Sequence, residues 1–158
     1  MPEKVGIKIA LLWKYKEGVA LIKRRMMKYI MVTNNSKCYE RWKDCHTVLY
    51  SEQWSYLDVL LKARDYVQRG FCLLTHPMAG SLKPNQMPFK SILLGECTLE
   101  DKEPFEDELL MESSIAAYHK FVRSRPLTKW PDPIRNDFRT VDLSLMEGVM
   151  SGSMMRNW

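Results

Sequence analysis

Lys28-Tyr29-Ile30-Met31-Val32-Thr33-Asn34-Asn35-Ser36 sets the reading of the whole chain. Its first six residues form a short, apolar, β-prone run, and the run stops at residues that readily cap a helix. A strand that hands over directly to a helix opens an α/β unit, and the following segments repeat the pattern. Cys38, Trp42 and Cys45 stand at helical spacing, and Thr47 to Tyr50 makes a second brief strand. Ser55 and Asp58 read as a capping box ahead of Tyr56, Val59, Leu60, Ala63 and Val67, a helical stripe that Gly70 ends. Phe71 to Leu74 is apolar throughout, as a central parallel strand would be, and Ser91 to Leu94 makes a fourth strand.

Beyond it the chain turns acidic, with Glu100, Asp101, Glu103, Glu106, Asp107, Glu108 and Glu112, and Pro104 sits where a first helical turn accepts proline. Acids belong at that end of a helix dipole. Met111, Ile115, Tyr118 and Val122 carry the helix to about Arg123, so the acidic run reads as a solvated helix start and not as a metal site. Pro126, Pro131 and Pro133 enforce an extended crossing, and Thr140 to Met150 form a last short helix. The alternation predicts an α/β fold, a small three-layer sandwich with a mostly parallel sheet of about four strands.

Three regions follow: a basic N-terminal arm over 1–26, an α/β domain over 27–125, and a proline-containing C-terminal extension over 126–158. Of 24 basic and 19 acidic residues, seven and two fall within 1–27, which leaves 17 of each for the rest. The net charge of +5 is therefore a property of the arm, and no broad basic face for nucleic acid is implied. Lys14, Lys16 and Glu17 interrupt the arm well short of the roughly 20 apolar residues that span a bilayer. The arm is either native or an upstream addition ahead of a start at Met26 or Met27. Cys38, Cys45, Cys72 and Cys97 show no metal-finger spacing with the three histidines, so reduced thiols in a cytoplasmic protein are expected, with no metal and no cofactor.

Between the third and fourth strands, Thr75-His76-Pro77-Met78-Ala79-Gly80-Ser81-Leu82-Lys83-Pro84-Asn85-Gln86-Met87-Pro88-Phe89-Lys90-Ser91 combines three prolines with many donors and no acid. That chemistry suits an anion. In an α/β sheet the turn after the first strand and this loop leave at the same carboxyl edge, where ligands bind. Thr33, Asn34, Asn35, His76, Gly80, Ser81, Lys83, Asn85 and Lys90 are the expected ligand-binding set. Asn34 and Asn35 would offer amides and a helix start, Gly80 and Ser81 a close backbone approach, and Lys83 and Lys90 charge. His76 is the one candidate for proton transfer. Against these stand plainer readings, in which the asparagines only cap a helix and His76 only holds a turn.

Val32-Thr33-Asn34-Asn35, the helix from Tyr56-Leu57-Asp58-Val59-Leu60 to Arg64-Asp65, and above all Leu74 to Asn85 with Pro88-Phe89-Lys90-Ser91 resemble the GrdX family, over roughly residues 28 to 95. The resemblance implies an accessory protein of the selenium-dependent glycine, sarcosine or betaine reductase system of amino-acid-fermenting anaerobic bacteria. Two functions are expected from loop and resemblance together. One is an accessory protein that binds a small anionic metabolite, a carboxylate or phosphate, and contacts reductase subunits. The other is a small enzyme in which His76 moves a proton on an anionic substrate. Neither a membrane nor a nucleic acid is an expected partner.

Overall fold

The computed structural model describes residues 29–80, 82–97 and 105–152; the basic arm, Pro104 and Ser81 lie outside them. The element order is β1 (Tyr29–Thr33), α1 (Ser36–Trp42), β2 (Thr47–Tyr50), α2 (Tyr56–Gln68), β3 (Phe71–Leu73), β4 (Ser91–Glu96), α3 (Glu106–Ser124) and α4 (Asp132–Met150). The strands lie in the order β2-β1-β4-β3. Alternation along the strands divides the core. Ile30, Val32, Leu73, Ile92 and Leu94 meet α2 and α3 on one face, through Val59, Leu60, Ala63, Met111 and Ile115. Met31 and Leu93 meet Cys38 and Trp42 of α1 and Met146 and Val149 of α4 on the other. Helices thus cover both faces of the sheet.

The sheet is mixed, not mostly parallel. β1 and β2 are parallel, but β4 runs antiparallel to both β1 and β3. The cause is the connection between β3 and β4. A parallel return needs a crossover, usually helical, whereas this loop holds no helix among its described residues and turns the chain straight back. A consequence helps the site: β4 begins at the edge where β1 and β3 end, so Lys90 and Ser91 join the loops that leave there.

Several local expectations hold. Asn35 caps α1, its side chain accepting from the Lys37 amide. In α2, the Ser55 amide donates to Asp58 at 2.8 Å and the Asp58 amide to the Ser55 hydroxyl at 3.1 Å, closing the capping box. Three differ. Asp107 is not solvated: it is fully buried, and its carboxylate accepts the Leu73 amide at 3.0 Å, covering an N–H of the edge strand β3. The last helix is long, starting at Asp132 with Pro133 in its first turn, because proline there removes only an N–H that has no helical partner. The cysteines are not all reduced. Antiparallel pairing sets Cys72 opposite Gly95, which brings Cys97 to a Cα separation of 5.3 Å, and the two are disulfide-bonded. Cys38 and Cys45 are free thiols.

Candidate functional site

The turn after β1 and the proline-rich loop meet, and Asn34 joins them. Beyond the last β1–β4 pair, Thr33 with Ser91, the Asn34 amide donates to the Lys90 carbonyl at 3.4 Å. The Asn34 side-chain carbonyl in turn accepts the Lys90 amide at 2.8 Å. The Asn34 Nδ2 group donates to the carbonyls of Pro88 at 2.9 Å and Trp54 at 3.0 Å. Asn34 therefore adds a rung to the sheet with its side chain and ties three segments together.

A buried polar cluster lies beside it. The hydroxyls of Thr33 and Ser91 are 2.6 Å apart, and Thr33 Oγ1 accepts the Asn35 amide at 2.9 Å. Asp142 of α4, itself buried, accepts from Ser91 Oγ at 2.6 Å and from Asn35 Nδ2 at 2.9 Å, with the Cys38 thiol at 3.6 Å. Burial, and then the charge of Asp142, push the Cys38 thiol far up, so it stays protonated. Thr33, Asn34 and Asn35 were expected to face a ligand, yet their polar groups are engaged within the protein. Asparagine suits this role because one side chain carries both an acceptor and two donors.

The cavity is next to this cluster. It measures about 100 Å³ and is lined by Tyr56, Ala79, Gly80, Leu82, Met87, Lys90, Val141, Asp142 and Leu145. Of the expected set, Gly80 and Lys90 line it. Gly80 has φ of +100°, and a Cβ built there would lie 3.4 Å from Leu145 Cδ1. Replacing Gly80 by alanine is expected to lower the unfolding free energy by about 1–2 kcal/mol, since an L-residue is strained in that region; urea denaturation measures it. Lys83 is exposed and does not line the cavity. Asn85 is buried, and its backbone carbonyl accepts the Thr128 amide at 3.0 Å. Ser81 lies outside the described residues.

His76 is half-buried and is not a lining residue; its Nδ1 accepts the Met78 amide at 3.0 Å. Burial first, then the positive charge of Lys90, lower its pKa, which keeps the imidazole neutral and the turn-holding acceptor intact.

Lys90 is the principal charge in the cavity. The residue is only 5% exposed, and its ammonium donates to the Ala79 carbonyl at 3.0 Å. Burial lowers its pKa to about 8, against the opposing pull of Asp142. The sequence gives signals for two residues missed as site members. Asp142 interrupts the apolar stripe of α4 between Phe138 and Met146, and a carboxylate on a core-facing stripe needs partners. Tyr56, read only as core, carries its hydroxyl to within 3.6 Å of Met78 Sδ at the cavity.

A family profile described as GrdX-like protein matches residues 30–151. The chain belongs to this family. The GrdX-like match runs from β1 through α4, so it includes Asp142 as well as the proline-rich loop. No curated protein and no solved structure matches the chain. Among the described residues no helix is long and apolar enough to cross a membrane.

Proposed function

We propose that this GrdX-like protein is a cytoplasmic accessory of selenium-dependent glycine, sarcosine or betaine reductase metabolism that holds a small carboxylate in the cavity beside Lys90. The observation that carries the reading is a buried ammonium with one hydrogen bond to the described residues, placed on a cavity that a small molecule can enter. Lysine supplies three donors, and a buried lysine charge is costly unless something offsets it. A ligand carboxylate does so. The cavity is smaller than the roughly 150 Å³ engineered void that takes benzene, which limits a ligand to a handful of non-hydrogen atoms. A phosphate dianion is the poorer fit, because Asp142 lines the same cavity. Contacts with reductase subunits remain part of the proposal, through surfaces other than this cavity.

Isothermal titration of the full chain with acetate, glycine, betaine, acetyl phosphate and inorganic phosphate tests it. Carboxylates are expected to bind and inorganic phosphate to bind more weakly; heat from phosphate alone, or from nothing, contradicts the reading. The pH dependence is a second check. Lys90 must carry its proton and acetate must be ionised, so acetate affinity should be level from about pH 6 to about pH 8 and fall above it. The decline is about tenfold per pH unit once the amine is mostly neutral. The neighbouring groups are Asp142 from α4, Tyr56 from α2 and His76 from the loop. Tyr56 is held far above its usual range by burial, so it does not titrate in that window.

A further inference from the structure

Two opposite charges line one small cavity without neutralising each other. Lys90 Nζ bonds to the Ala79 carbonyl, and no ion pair joins it to Asp142 among the described residues. Yet Asp142 lies near enough to act on the Lys90 charge. The Asp142 carboxylate is itself divided. Ser91, Asn35 and Cys38 all meet Oδ2. Oδ1 has no such bond among the described residues and Asp142 lines the cavity, which leaves Oδ1 as the oxygen available to a ligand.

Donors on Oδ2 fix the carboxyl plane, because Ser91 sits on β4 and Asn35 caps α1. The acceptor at Oδ1 is thereby held in place before any ligand arrives, as is the ammonium tethered to Ala79. Between them the walls are apolar: Leu82, Met87, Val141 and Leu145. Apolar neighbours lower the local dielectric and strengthen interactions with a charge that enters, most on the side of buried Met87, whereas Leu82 and Val141 stay open to solvent. A lone anion would satisfy Lys90 but lie against Asp142, and a lone cation would do the reverse.

We infer that the ligand is a small zwitterion of the amino-acid type, its carboxylate on Lys90 Nζ and its ammonium on Asp142 Oδ1. The inference rests on the carboxylate reading above and adds the second pole. It makes Asp142 a binding residue for the cationic end as well as the anchor of the buried cluster. The cavity volume favours the shortest members, in which one carbon separates the charged groups.

Three probes matched in size separate the poles: acetate carries only the anion, methylammonium only the cation, and glycine both. Titrated into the full chain at one pH and ionic strength, glycine is expected to bind about tenfold or more tightly than acetate, the scale of one charge-assisted hydrogen bond. Methylammonium is expected to be weakest. Asp142→Asn should bring the glycine-to-acetate ratio down to about threefold or less, with acetate binding retained or improved. Should that variant fail to fold, the ratio on the unaltered chain still decides. Acetate binding as tightly as glycine would overturn the zwitterion and leave the carboxylate site standing. Methylammonium binding most tightly, or none of the three binding, would overturn both.

Discussion

Asn34→Ala is expected to lower the unfolding free energy by about 2–3 kcal/mol, since it strands one buried and two part-buried backbone groups, the buried one at about 1–3 kcal/mol and the others at less, with incomplete additivity. Those groups are the Lys90 amide and the carbonyls of Pro88 and Trp54. The loss is large because the Asn34 side chain extends the ladder beyond the Thr33–Ser91 pair: without it only the long 3.4 Å bond from the Asn34 amide to the Lys90 carbonyl holds Lys90 against β1. Urea denaturation with intrinsic tryptophan fluorescence measures the change. A loss below about 0.5 kcal/mol, the range of ordinary surface substitutions, would mean that the junction tolerates water and is not the structural tie described.

Lys90→Met has the opposite signature. Removing the ammonium should weaken acetate binding by about a hundredfold, the scale of a charge-assisted contact in a desolvated site. Stability is expected to hold or rise, because replacing a buried charge by an apolar side chain of similar length removes a desolvation cost. The sign of the pH dependence follows from the same residue. The folded lysine loses its proton near 8, below the ordinary value of 10.5, so between those values the unfolded chain binds more protons and stability rises with pH. That rise should be absent in Lys90→Met. A variant that loses stability and keeps acetate affinity would reverse the role assigned to Lys90, making it a structural residue.

The parts of the fold legible in the sequence are those fixed by near neighbours. Ser55 and Asp58 announce α2 because both halves of a capping box lie three residues apart, and Asn35 announces α1 because its side chain reaches the amide of Lys37. The direction of β4 was not legible. Phe71 to Leu74 is apolar in either kind of sheet, and what decides parallel or antiparallel is whether the loop to Ser91 forms a helix, which its prolines prevent.

The candidate site divides along the same line. The meeting of the turn after β1 with the proline-rich loop could be anticipated, because strands fix where chain segments emerge. Which of those residues would face a ligand could not. Thr33, Asn34 and Asn35 have side chains suited to anions, but the same groups satisfy buried amides and carbonyls first, and that demand becomes visible only when Ser91 and Asp142 are seen beside them. Lys83 and Lys90 are alike in sequence and differ in burial, one exposed and one covered. Asp142, more than fifty residues downstream of the loop's end, reaches the cavity only because α4 packs across α1 on the same face of the sheet.

A crystal of the full chain soaked in glycine puts the account to its most direct test. The account predicts ligand density in the cavity beside Gly80, with carboxylate oxygens at hydrogen-bonding distance from Lys90 Nζ and the amine toward Asp142. An empty cavity with glycine bound elsewhere, or a carboxylate held by exposed Lys83 with Lys90 untouched, would contradict it.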